Sequence, residues 1–201
     1  MTYEEIIKYA HNKIDLVGVI TEFRVEPYIK GSTQLIRYTG VVCCNNAYIQ
    51  INGVITQYDD TYNTFIQQFD NQDPIGLKVR VIGSLHSNGV RCIYIQKIPN
   101  ASSDYFKGDV KGIKVDGGVL YPTNYAHLIL PLECDADNYS IVSITLKSNP
   151  LIVDDSGNII ECGVPSIVVD ECCSEGYCDE DIVDRLLEER EIYLESLKQG
   201  I

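Results

Sequence analysis

Residues 77–86 read LKVRVIGSLH, and their alternation decides the fold class. Leu77, Val79, Val81 and Leu85 fall on one face, with Lys78, Arg80, Ser84 and His86 on the other. This is the period-2 pattern of a strand with one side in a core. Ser87, Asn88 and Gly89 then turn the chain into VRCIYIQKI (90–98), a second strand, so the pair reads as a hairpin.

Upstream of this hairpin the signals are again mostly strands. IDLVGVITEFRV (14–25) is β-branched, PYIKGST (27–33) reads as a loop, and QLIRYTGVVCC (34–44) and AYIQINGVI (47–55) are strands joined at Asn45 and Asn46. Between the third and fourth strands DDTYNTFIQQF (59–69) changes period. Tyr62, Phe65, Ile66 and Phe69 stand at i, i+3, i+4 and i+7, one face of a helix capped at Asp60 or Thr61. A short helix is expected over 2–12, with Thr2 and Glu5 as its capping box. Gly18, Gly40, Gly53 and Gly83 lie inside strands, where glycine marks the bulges and bends of a small barrel.

Downstream, Asp109 to Val115 repeats the D-x-x-G-[VI] opening of Asp15 to Val19. Short β segments are expected at 126–132, 140–146, 151–153, 158–162 and 166–169, with a hairpin turn at Asp155 to Asn158. They make either a degenerate second barrel or a β extension. DEDIVDRLLEEREIYLESLKQ (179–199) closes the chain as an amphipathic helix with acids in its first turn and Lys198 near its end. The fold class expected is mainly β: a five-stranded barrel of order β-β-β-α-β-β over 1–100, a β-rich subdomain over 101–170, and an acidic helical segment over 171–201.

Composition sets the outer bounds. Apolar content of 45% with 22% charged residues suits a globular chain and not a disordered one. The N-terminal MTYEEIIKYAHNK lacks the apolar core of a secretory signal, and no apolar run is long enough to span a membrane, so a cytoplasmic protein is expected. On that expectation the eight cysteines would be reduced thiols. The net charge of −13 is uneven: residues 1–100 hold nine Lys/Arg against nine Asp/Glu, while 101–201 hold seven against twenty. A neutral first half leaves room for a cationic face that the average conceals.

Five strands with a helix after the third is the element order of the OB-fold, a barrel that binds oligonucleotides on its strand 2–3 face and with the loops joining strands 1–2 and 4–5. NKIDLVG (12–18), the YNTFIQQF helix, GLKVRVIGSL (76–85) and VRCIYIQKI (90–98) together resemble the bacterial and phage single-stranded DNA-binding proteins. Those open on N-K-[V/I]-x-L-x-G and carry G-x-x-V-x-V-x-G-x-L in their fourth strand. The resemblance covers the first half only. It departs from the family in having no tryptophan, and in a C-terminus reading KQGI where the family carries a flexible acidic tail ending in Pro-Phe. It implies an oligomeric single-stranded DNA-binding protein of the kind that serves DNA replication.

Binding a single strand needs cations along phosphates and aromatic faces under bases. The candidates are Tyr28 and Lys30 in the strand 1–2 loop, Arg37 and Tyr48 on strands 2 and 3, and Arg80, Arg91, Tyr94 and Lys97 on strands 4 and 5. Against this stands the plainer reading of strand tyrosines as wall residues and of alternating Lys/Arg as a solvated face. Arg37 and Tyr38 point to opposite faces of a regular strand, so at most one of them meets a ligand.

Cys162, Cys172, Cys173 and Cys178 offer four thiols within seventeen residues, but only Cys173 and Cys178 approach the spacing of a zinc knuckle, so no metal or cofactor is expected. The motifs of nucleotide hydrolysis, dinucleotide binding, metalloproteolysis and serine hydrolysis are absent, and no catalytic residue is assigned. Beside the nucleic-acid reading stands a second: a non-enzymatic adaptor or assembly protein that uses the barrel as a block and meets a protein partner, or a second copy of itself, through the acidic helix.

Overall fold

The computed structural model describes residues 1–56, 73–124, 126–160 and 166–199. The helix expected over 59–69 and Cys162 fall outside these residues. Contacts divide the chain into two compact units: a barrel unit of residues 14–107 and 148–168, and a helical unit of residues 1–13, 108–147 and 169–201.

The barrel unit holds most of β1 (His11–Lys30), with β2 (Thr33–Cys44), β3 (Ala47–Thr56), β4 (Lys78–His86) and β5 (Gly89–Lys97). β1 pairs antiparallel with β2 and β4, β2 with β3, and β4 with β5, while β3 and β5 run parallel. Within this set each strand therefore has two partners and the ring closes as β1-β2-β3-β5-β4-β1, the OB-like barrel expected. Alternation sends Ile14, Leu16, Ile20, Val42, Ile49, Ile51, Val79, Val81 and Val90 inward, each at most 1% exposed.

The hairpin turns follow the residues. Asn45 and Asn46 take φ of 48° and 66°, the double positive of a two-residue turn matched to strand twist. One expectation is corrected here. Residues 27–33 are not a loop: β1 runs on through Pro27, Tyr28 and Lys30, opposite Ile36, Leu35 and Thr33 of β2, and turns only at Gly31 and Ser32. Proline and glycine signalled a break, but a ladder accepts proline where the missing donor is not needed.

The helical unit holds α1 (Tyr3–Tyr9), β7 (Gly118–Tyr121), β8 (Leu128–Leu130), most of β6 (Tyr105–Val115), β9 (Ser140–Ser148) and β10 (Ile167–Tyr177), and α2 (Glu180–Lys198). Thr2 and Glu5 form the reciprocal capping box of α1. Ile6, Ile113, Val115, Leu120, Ile141, Cys178, Val183 and Leu186 make one core, so the acidic α2 is a packing element of this unit. No helix among the described residues is long and apolar enough to cross a membrane.

β6 pairs with β7 and β9, β7 with β8, and β9 with β10. Those are the partnerships that β1, β2, β3, β4 and β5 make in the barrel, and among the described residues no β8–β10 pair closes a second ring. The D-x-x-G repeat has the same physical basis in both places. A Cβ on Gly18 would stand 2.4 Å from the Cys43 carbonyl oxygen, and one on Gly112 2.4 Å from that of Leu120. Each glycine lets the next strand cross its own closely.

Two further expectations change. Of the segments expected at 151–153 and 158–162, residues 161 and 162 lie outside the described residues, and the rest form a single bridge, Val153 to Ile159, around a turn in which the Asp154 carboxylate accepts from the Ser156 and Asn158 amides. Cys134 and Cys172 are joined as a disulfide, their Cα atoms 6.1 Å apart, so these two cysteines are not free thiols.

Candidate nucleic-acid interface

The outward positions of β1, β2 and β3 share one surface. Register places Arg24 beside Thr39 and Glu26 beside Arg37, with Thr39 beside Asn52 and Arg37 beside Val54. Asn52 in turn faces Arg91 across the parallel β3–β5 pair, and Arg91 faces Ser84 of β4. A groove of about 510 Å³ lies on this surface, lined among others by Arg24, Thr39, Gln50, Asn52 and, from the β4–β5 turn, Asn88. Its lining mixes these polar side chains and Glu22 with the apolar Phe23, Val41 and Ile51.

Behind the groove sits Tyr38, 4% exposed and stacked on Phe23 with ring centroids 5.8 Å apart. Burial first, and then the neighbouring Cys92 thiol, raise its hydroxyl far above the usual range, so it stays protonated. The phenol lies where a Cβ of residue 53 would be, at 2.2 Å, and Gly53 is what lets β3 pass over the ring. Arg37 thus points outward and Tyr38 inward.

The eight candidate residues do not fall together. Arg37, Tyr48 and Arg91 lie on the groove surface; Tyr48 is 47% exposed and stands opposite Cys43. Tyr28 belongs to the same surface farther along the hairpin, with the Arg37 guanidinium 5.1 Å above its ring. Lys30 is exposed at the hairpin tip.

Arg37 donates through Nε and Nη2 to Glu26 Oε1, at 3.0 and 2.5 Å, and Arg24 Nη2 lies 3.7 Å from Glu26 Oε2. The Arg37 hydrogen bonds and charge hold the Glu26 carboxyl below its ordinary value. His86, beside the groove strands on β4, is pushed toward the neutral form by burial and then by Arg91.

Arg80, Tyr94 and Lys97 sit elsewhere on the barrel wall. Arg80 donates to both oxygens of Asp15, at 3.1 and 2.7 Å, and the Tyr105 hydroxyl donates to the same carboxylate at 2.9 Å. Arg80 is therefore a wall ion pair. Tyr94 follows a bulge at Ile93, stands opposite Ile82 and donates to Gln96 Oε1. Lys97 is half-buried opposite Val79.

Thr39, Gln50, Asn52 and Asn88 carry neither a cation nor a ring and were missed for that reason, whereas Arg24 is a cation that was missed on a strand correctly expected. The signal was present: in AYIQINGVI the outward set Tyr48, Gln50 and Asn52 alternates with buried Ile49 and Ile51.

Of the four C-terminal cysteines, the three that are described stand in different settings. Cys172 is bonded to Cys134, Cys173 is exposed and Cys178 lies in the core of the helical unit. Among the described residues no group of three His, Cys, Asp or Glu side chains is placed to hold a metal ion.

No family model matches this chain, and no curated protein matches it. Among solved structures it is similar to a deletion mutant of the single-stranded DNA binding protein from Thermus aquaticus. The two are 11% identical, the match covers 86% of this chain and 99% of that one, and the TM-score is 0.48.

Proposed function

We propose that this protein is a non-enzymatic binder of single-stranded nucleic acid, taken up across the outer surface of β1, β2 and β3. The observation that carries the reading is the groove of mixed polar and apolar lining on the strand 2–3 face, walled by the β4–β5 turn at Asn88. That is the surface by which barrels of this architecture meet oligonucleotides. Tyr48 supplies a half-exposed ring for stacking, Arg91 and Lys30 supply charge for phosphates, and Gln50, Asn52 and Asn88 supply donors and acceptors for base edges.

Stacking on one or two tyrosines gives about 1–3 kcal/mol per base without reading sequence. The test is fluorescence anisotropy of a labelled oligo-dT at low and moderate salt. Binding at micromolar protein that weakens with salt is expected; no binding at low salt contradicts the reading.

A second reading, assembly through the acidic helix, draws on Ile192 and Leu197, 64% and 53% exposed among the acids of α2. Light scattering tests it: a monomer at all concentrations, unchanged by Ile192→Glu, speaks against self-assembly through α2.

A further inference from the structure

We infer that Glu26 occupies, in the free protein, the position that a backbone phosphate takes when a single strand binds; this rests on the nucleic-acid reading above. Two guanidiniums from neighbouring strands converge on one carboxylate: Arg37 from β2 through two nitrogens on Oε1, and Arg24 from β1 toward Oε2. A phosphodiester offers the same two acceptor oxygens to the same planar donors.

The surroundings are those of a ligand position rather than of a buried strut. The side chains of Arg24, Arg37 and Glu26 are 78%, 47% and 33% exposed, so a strand can reach them from solvent. The Tyr28 ring lies beneath Arg37 and fixes one face of its guanidinium, leaving the edge to turn toward an anion. Arg24 also lines the groove, so a phosphate here would continue a strand whose bases lie over Thr39 and Asn52.

An exposed ion pair contributes little to stability and exchanges readily for another anion. Glu26 would then act as an internal competitor: it holds both arginines oriented in the free state and lowers affinity by the work of its displacement. The plainer alternative is a cross-strand pair that only pins the β1–β2 hairpin. The two differ in sign, because losing a competitor strengthens binding and losing a strut does not.

The experiment compares wild type, Glu26→Gln, Glu22→Gln and the double variant Glu26→Gln with Arg37→Met, titrated into fluorescein-labelled oligo-dT over a salt series. Glu22→Gln removes the same charge from the same surface without releasing Arg37. We expect Glu26→Gln to bind about 3–10-fold tighter at low salt. Its slope of log K against log[salt] should steepen by about 0.7–1.4, for one or two further phosphates at about 0.7 each. Both gains should vanish in the double variant.

A Glu26→Gln affinity no greater than that of Glu22→Gln, with wild type still binding, overturns the role of Glu26 and leaves the nucleic-acid reading standing. Absence of binding by wild type and Glu26→Gln alike overturns both. Thermal denaturation of each variant shows that the comparison is made between folded proteins.

Discussion

Gly53→Ala is the sharpest probe of how the barrel positions its groove. The added methyl would lie 2.2 Å from Cζ and Oη of Tyr38 and 2.6 Å from Cε1, far inside contact distance. Tyr38 cannot swing away: it is 4% exposed and stacks on Phe23. The backbone at Gly53 is outside the left-handed region, so without the ring alanine would gain about 0.4–1 kcal/mol from a stiffer unfolded chain. Overpacking a filled core costs about 1–3 kcal/mol, and a rigid aromatic places this site at the upper end. The expected net loss is about 2 kcal/mol.

Urea unfolding followed by far-UV circular dichroism reads that loss, and hydrogen exchange of the β3 amides assigns it to the barrel unit. In a Tyr38→Leu background the overlap is gone, so the same substitution should cost at least about 1 kcal/mol less, a coupling typical of residues in contact. Asn52 and Val54 flank the site on the outer face, so the single variant should also bind oligo-dT more weakly. A loss below about 0.5 kcal/mol, or an equal loss with and without Tyr38, would refute the packing argument.

Arg80 and Arg91 should separate cleanly. Arg80→Met leaves the largely buried Asp15 carboxylate without its main partner and should lower stability by about 1–3 kcal/mol with the salt slope of binding unchanged, whereas Arg91→Met should flatten that slope by about 0.7 at unchanged melting temperature. In the helical unit, burial raises the Glu189 carboxyl, but hydrogen bonds from Tyr3, His127 and Arg185 outweigh it and the net shift is downward. A lowered folded-state value means that Glu189 stabilises the fold above the ordinary carboxylate value of 4.5 and stops doing so as pH falls through its folded value. Melting temperatures from pH 7 to 3 should therefore fall more steeply for wild type than for Glu189→Gln. Cys172→Ser opens a disulfide spanning 38 residues, and chain entropy puts the loss at up to about 4 kcal/mol; urea unfolding with and without dithiothreitol should show wild type falling to the variant and the variant unmoved.

The barrel was legible in the sequence because its core alternates: LKVRVIGSLH and AYIQINGVI each bury one residue in two, and Asn45 and Asn46 fix the turn between β2 and β3. Parity also separated Arg37 from Tyr38 without coordinates. The extent of β1 was not legible, since Pro27 and Gly31 carry loop signals whether or not the flanking residues find ladder partners. β10 was legible only at its start, the segment expected at 166–169, for a related reason. Asp170, Glu171, Ser174 and Glu175 are outward and polar, and a strand with few buried side chains has no period to read. β7 is four residues long, too short for a pattern. The Cys134–Cys172 bond joins residues 38 apart, and spacing alone cannot choose a partner among eight cysteines. At the site the cations other than Arg24 were legible, but their partners were not. Whether Arg80 meets Asp15 and Arg37 meets Glu26, or either meets a ligand, depends on cross-strand register.

The most direct measurement is a salt series of oligo-dT binding by the intact protein. The groove surface and hairpin tip carry Arg24, Lys30, Arg37 and Arg91 against Glu22 and Glu26, so about two to four phosphates should be neutralised. The slope of log K against log[salt] should lie between about −1.4 and −2.8, at about −0.7 per phosphate. Micromolar or tighter binding with such a slope, weakened by Arg91→Met and Tyr48→Ala, is the predicted result. No binding at low salt, or binding that ignores both substitutions, would contradict a nucleic-acid interface on this face.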